Sequence, residues 1–211
     1  MTGATKDDGG RDPSERILDA AEALWYERGV QAVGMDAIRD SSGVSLRRIY
    51  QIFPSKESLL VAVLERRDVR WRARLADYVS QKETPEEKLV GIFEWLQRWF
   101  EEPGFRGCAW VNMNGELGAV VPAVAAETRR HKAAFRSFVS GLVRDAGMSA
   151  DLADALVLLA EGAMVTAGIF ASAAPAVHAA TAARELIGSA RAEQRRAGRR
   201  AAFPWRADGA G

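Results

Sequence analysis

The chain has 211 residues, 48% of them hydrophobic, and sets 29 cations against 28 anions for a formal net charge of +1. That length holds one sizeable domain or a small domain joined to a larger one, and the balance of charge excludes a polycationic, histone-like protein while leaving room for a local basic patch. A single cysteine, Cys108, excludes an intramolecular disulfide and fits a reducing, cytoplasmic setting, and "MTGATKDDGGRDPSER" lacks the apolar core of a signal peptide.

Residues 1–12 are rich in Gly and Asp and read as a disordered tail. From Pro13 the apolar residues Ile17, Ala20, Ala21, Leu24 and Trp25 recur at three and four, which predicts an amphipathic helix ended by Gly29. A short helix follows over about Met35–Ser41. Gly43 marks a turn that calls for positive φ, and Ser45 caps a second short helix running to about Ile52. Pro54 stops it, and Ser55 caps a long helix from Lys56 to about Ser80. Thr84-Pro85-Glu86-Glu87 has the form of a capping box. The helix it opens carries Phe93, Trp95 and Trp99 among apolar residues that cover most of its circumference, so burial on more than one side is expected. A short helix at "CAWVNMNGELG", a long one from Pro122 to Asp145, one capped by Ser149 and a last one from about Pro175 complete the chain. The stretch "ALVLLAEGAMVTAGIFA" is interrupted by Glu161 and small residues and reads as a buried helix rather than a membrane span. Beyond about residue 195 the chain turns basic and rich in Ala and Gly, and a mobile tail is expected. No strand pattern occurs.

The segment "SSGVSLRRIYQIFPSK" stands out because it holds three cations and no acid. Helix, glycine turn and short helix form a helix-turn-helix arrangement, with Ile38, Val44, Ile49 and Ile52 facing inward. Leu46, Arg47, Arg48, Tyr50 and Gln51 are left for solvent or a partner. The DNA major groove admits one helix, where Arg reads guanine and Gln reads adenine; Ser45, Tyr50 and Lys56 suit phosphate.

Residues 16–67, from "RILDAAEALW" to "LLVAVLERR", resemble the DNA-binding domain of the TetR (tetracycline-repressor-type) family of transcriptional regulators. The matching landmarks are Ala20-Ala21, Gly29, Met35, Ile38, Gly43-Val44-Ser45, Tyr50, Phe53 and Lys56-Glu57. The resemblance implies an all-α chain of about nine helices: a helix-turn-helix domain over 13–60, a helical ligand-binding and dimerisation domain over 61–195, and disordered tails at 1–12 and 196–211. It further implies a homodimer on a palindromic operator, released as a repressor by a small molecule. By position it assigns Ser45, Tyr50 and Lys56 to phosphate and Arg47, Arg48 and Gln51 to bases. Two positions depart from the family pattern. Gly34 stands where Ser or Thr usually caps the second helix, and Arg39 stands where a small residue is common, lying either along the surface or toward DNA.

Similarity is looser in the remaining chain. "GFRGCAWVNMNGELG" resembles a Gly-Cys-x-x-x-Asn element of one branch of the family, and the Ala- and Gly-rich helices after Ser149 resemble its dimer-forming pair. Candidate inducer residues are Phe93, Trp95, Trp99, Trp110, Met113, Met164 and Phe170, with Asn112 and Glu116 as polar groups. Their aromatic spacing equally fits plain core. Cys108, with Arg106 near it in sequence, admits a thiol-sensing alternative. His131, beside Arg129, Arg130 and Lys132, reads as a surface residue. Two separated histidines and one cysteine make no metal site, and no cofactor is expected. An enzyme is disfavoured because no Ser-His-Asp set, phosphate loop or carboxylate pair is present; a protein-binding helical adaptor is the third class weighed.

Overall fold

A computed structural model describes residues 11–202, with side chains through Gly198. The described residues form nine α-helices: α1 (Pro13–Arg28), α2 (Met35–Ser42), α3 (Leu46–Ile52), α4 (Lys56–Ser80), α5 (Pro85–Phe100), α6 (Ala109–Leu117), α7 (Pro122–Asp145), α8 (Ala150–Phe170) and α9 (Ala174–Ala202). The chain is all-α, and its helix boundaries lie close to those expected from capping and periodicity. The expected tails fall largely outside the described residues. Inside them, Asp12 caps α1 through Ser14 N–H at 3.1 Å, and α9 runs past 195 to Ala202. The Ala, Arg, Glu and Gln of that last stretch are good helix formers.

Local chemistry accounts for most helix starts. Thr84 and Glu87 satisfy each other's backbone N–H at 3.2 and 3.0 Å, a complete capping box. Ser55 and Ser58 do the same at 3.0 Å each, opening α4 directly after Pro54. Ser149 precedes α8 in extended conformation, but its hydroxyl makes no capping bond.

The chain divides into two compact units. One contains residues up to Arg72 together with Arg106–Lys132; the other contains Ala73–Phe105 and residues from Ala133 onward. In the first, α1 packs on α2 and α3 around Ile17, Ala21, Trp25, Ile38 and Ile49. In the second, α5 packs on α8 and α9, burying Phe93, Leu96, Leu156, Ala160 and Met164. The expectation that α8 is a buried helix holds for one side only. Leu158 and Ile169 on its other side are 72% and 71% exposed, with Val165 between them. By length and composition α8 also suits a bilayer crossing, at a mean hydropathy of 1.7.

The first unit has a polar centre that the sequence reading placed wrongly. His131 is 1% exposed, not a surface residue. Its charged neighbours in sequence suggested an exposed face, but Val124, His131, Phe135 and Val139 fall on one inward stripe of α7. The ring lies flat on Trp110, centroids 3.5 Å apart, and edge-on to Trp71 at 5.1 Å. Its Nδ1 is 2.7 Å from Oδ1 of Asp68, itself 0% exposed. Arg72 reaches both Asp68 oxygens at 2.8–3.0 Å and Arg130 adds a contact at 3.3 Å. Burial alone would raise the Asp68 pKa, but these donors hold it below the ordinary carboxylate value. Burial pushes His131 down from 6.5 to about 4 despite Asp68.

A histidine depressed in the fold stabilises it above its unfolded pKa, and that contribution fades as pH falls from 6.5 toward about 4. The midpoint of urea unfolding is therefore expected to drop on acidification from neutral pH to pH 5. The His131 share is at most about 3 kcal/mol at the acid end. His131→Gln, which cannot titrate but keeps an N–H for Asp68, should flatten that drop; an unchanged pH profile in this variant would remove His131 as its source.

Candidate nucleic-acid interface and cavities

The placement of α3 begins at Gly43. Its backbone is left-handed, φ 65° and ψ 17°, and its N–H closes α2 on Arg39 O at 2.9 Å. Arg16 on α1 donates to the Ser42 carbonyl through Nε at 3.1 Å and a terminal nitrogen at 2.7 Å. A Cβ on residue 43 would stand 2.7 Å from that nitrogen and displace the end of the Arg16 side chain, and the left-handed φ favours glycine. Ser45 then caps α3, its Oγ accepting the Arg48 N–H at 3.3 Å. Ile49, fully buried, pins the helix to α1 and α2, with Ile38 and Val44 beneath it and Ile52 half-buried.

That anchoring fixes what α3 presents. Arg47, Arg48, Tyr50 and Gln51 are exposed, Ser45 is exposed at the cap, and Leu46 is half-buried. Arg48 lies 3.4 Å from Gln51 Oε1. Arg47 has no ion pair among the described residues. Acids nearby on α2 are already matched: Arg39 bonds Asp36 at 2.6 Å and Asp40 at 2.8 Å. Arg39 therefore lies along its own helix in this structure. Gly34 caps α2 without any side-chain bond, and nothing lies within 4 Å of where a side chain would begin.

Lys56 is placed differently from a free phosphate-seeking amine. Its Nζ donates inward to Val30 O at 2.6 Å and Val33 O at 2.7 Å, tying the start of α4 to the α1–α2 connection. Burial lowers its pKa.

The nine candidate ligand residues fall into both units. Trp95 and Trp99 stack at 5.6 Å in the second unit and line a cavity of about 350 Å³ together with Arg74, Tyr78, Arg98 and Glu102. Phe93 and Met164 are core residues there, and Phe170, 72% exposed at the end of α8, lines no core. In the first unit Asn112, Met113 and Glu116 line a cavity of about 270 Å³, while Trp110 is buried against His131. The aromatic spacing that suggested one pocket is shared between core and cavity walls, as periodicity alone cannot separate them. Cys108 is buried, and the cation beside its sulfur is Lys132, 3.3 Å away, rather than Arg106. No group of His, Cys, Asp and Glu suited to a metal occurs among the described residues.

An exposed, acid-free recognition helix on a glycine-turned three-helix head defines a helix-turn-helix transcriptional regulator. The family model for bacterial regulatory proteins of the tetR family matches residues 17–63. A TetR-type regulator of Streptomyces avermitilis with a solved structure is 32% identical, covering 85% of this chain and 98% of that one with a TM-score of 0.73. The chain belongs to the TetR family. Over 79 residues it is 37% identical to the transcriptional repressor KstR of Mycobacterium tuberculosis, covering 37% of this chain and 36% of the relative. Over 51 residues it is 47% identical to the transcriptional activator FasR of Mycolicibacterium smegmatis, covering 24% and 23%. The matched region spans from 23% to 58% of the length of these and other curated relatives.

The two inward bonds of Lys56 make it part of the frame that carries α3. Lys56→Ala is expected to lower head stability by roughly 1–2 kcal/mol, read as a lower urea midpoint. If stability is unchanged while the salt dependence of DNA binding falls by about one unit, the amine acts on phosphate instead.

Proposed function

We propose that this protein is a ligand-responsive repressor that binds a palindromic operator as a homodimer in the cytoplasm. The observation that carries the reading is the outer face of α3, where Arg47, Arg48, Tyr50 and Gln51 stand exposed without an acid on the helix. Arg47, Arg48 and Gln51 read base edges in the major groove; Ser45 and Tyr50 contact phosphate, and Leu46 packs on the groove wall. Two such helices serve half-sites about 34–36 Å apart, or a multiple of it.

The exposed side of α8 supports the dimer. Leu158, Val165 and Ile169 share it with Gly162, above which nothing lies within 4 Å, and α9 adds Val177 and Leu186. A patch of this kind is unusual on a monomer, and a twofold helix bundle covers it. An apolar or aromatic inducer fits the cavity of Trp95 and Trp99, where two indoles and the cations Arg74 and Arg98 supply stacking surfaces. A ligand that prefers the non-binding spacing of the dimer needs a coupling of only about 1–3 kcal/mol. Repression requires nothing further, since a dimer seated on an operator obstructs transcription by occupying it.

Arg47→Ala is expected to weaken operator binding by roughly 1–3 kcal/mol and to relax the preference at one base pair per half-site, read by titration against systematically substituted operators. An unchanged affinity and sequence preference would remove Arg47 from base reading. Leu158→Asp is expected to shift sedimentation from a dimer toward the 22.9 kDa protomer and to abolish tight operator binding with it. A dimer that persists in this variant places the interface elsewhere.

A further inference from the structure

The cavity of about 270 Å³ in the first unit lies between the C-terminal end of α1 and α6 and is apart from the Trp95–Trp99 cleft. Its walls combine apolar surface from Ala109 and Met113 with Arg106, Asn112 and Glu116. Trp25 also lines it, 2% exposed, and its indole N–H has no hydrogen-bond partner. That nitrogen is itself closed to solvent, so the indole marks the wall of the cavity without offering it a donor.

Four charged residues line the same space; Glu27 and Arg28 pair with each other at 3.5 Å, which leaves Arg106 and Glu116. Arg106 has no ion pair among the described residues, yet its backbone is fixed. Its N–H donates to Tyr26 Oη at 2.8 Å and its carbonyl accepts from Asn112 at 2.8 Å. Tyr26 in turn donates to Gly107 O at 2.8 Å. Glu116 gives one oxygen, Oε2, to the Gln31 N–H at 3.0 Å. Its Oε1 would stand 3.0 Å from a Cβ at residue 29; Gly29, at φ 87°, leaves room for the carboxylate to approach.

We propose that this cavity binds a small zwitterion of amino-acid size, its carboxylate on Arg106 and its ammonium on Glu116. A volume just below the usual range of about 300–1,000 Å³ for small-molecule pockets limits the ligand to that size. The paired donor and acceptor groups match a molecule carrying both charges better than an apolar one. Resting on the reading as a regulator, such a ligand bridges α1 of the DNA-binding head to α6 and tunes operator affinity independently of the aromatic inducer.

The test uses the full-length ¹⁵N-labelled protein and the indole N–H resonances of its 6 tryptophans, with the Trp25 signal assigned by its loss in Trp25→Phe. Common L-amino acids are added singly at millimolar concentration. At least one is expected to move the Trp25 resonance in a saturable way, and its N-acetyl methylamide, which lacks both charges, is not. Arg106→Gln and Glu116→Gln are each expected to weaken that binding about tenfold, with the rest of the Arg106→Gln spectrum unchanged as proof of folding. A Trp25 signal that no amino acid moves overturns the proposal; so does undiminished binding by both variants. Operator titration of the same sample without amino acid separates this outcome from a failure of the DNA-binding reading.

Discussion

The structure of the head depends on one carbonyl. Ser42 O, at the open end of α2, is taken by the Arg16 guanidinium, whose terminal nitrogen lies 2.7 Å from where a Cβ on Gly43 would stand. The last carbonyls of a helix lack intrahelical donors, and a cation there also meets the negative end of the helix dipole. Arg16 therefore satisfies α2, fixes its direction relative to α1, and sets the point from which Val44 and the capped α3 depart. Ile49, buried against the same two helices, fixes the rotation of α3 about its axis. With start and rotation both set, the outward direction of Arg47, Arg48 and Gln51 is no longer free.

Charge pairing explains why a chain of net charge +1 can still present a basic helix. The N-terminal unit contains many arginines, but most are matched. Arg66 meets Glu15, Asp19 and Glu22; Arg67 and Arg70 also meet Glu22; Arg72 meets Asp68; Arg39 meets Asp36 and Asp40. Lys56 and Arg16 are spent on carbonyls. Arg47 and Arg48 form no ion pair among the described residues, Asp12 acting on Arg48 only at longer range, so the local field at α3 is positive although the total is near zero. Each surface pair contributes little to stability, typically about 0–1 kcal/mol. Their larger effect here is to remove competing fields around the helix that faces DNA.

Most of the fold was legible because its signals are local. Thr84 with Glu87, Ser45, Ser55 and Gly43 act within a few residues of where they stand, and the nine helices follow from such caps and from apolar spacing. The exposed residues of α3 were legible for the same reason: Ile49 in and its polar neighbours out is a property of one helix. Asp68 and His131 were not read, although the signal existed. Asp68 lies between Leu64 and Trp71 on the buried stripe of α4, and His131 lies between Val124 and Phe135 on that of α7. A polar residue on an apolar stripe requires a partner, but the partner here is 63 positions away, and one sequence does not reveal such a pairing. Lys56 was misleading in the same way: a lysine at a helix start suggests an anion, and only the folded chain shows Val30 O and Val33 O within reach. The pocket residues were the least legible, since Trp95, Trp99 and Trp110 have the same spacing whether they wall a cavity or fill a core.

The polar links inside the first unit bear on how the head responds to anything bound near it. Tyr26 Oη joins α1 to the backbone at Arg106 and Gly107, and Arg67 lies over the Tyr26 ring at 4.3 Å. Gln31 is held to the end of α6 twice, by the Glu116 carboxylate at 3.0 Å and by its carbonyl at 2.9 Å. The Gln31 bonds involve exposed groups and are individually weak, but they act on the loop between α1 and α2, the same loop whose carbonyls hold Lys56. A displacement of α6 therefore strains the α1–α2 connection and the start of α4 together. Because the contacts are few, polar and partly exposed, altering them needs far less free energy than repacking the Trp110–His131 core beside them. The contacts that hold α3 are buried and apolar, around Ile38 and Ile49, whereas those from the α1–α2 loop to α6 are polar and exposed.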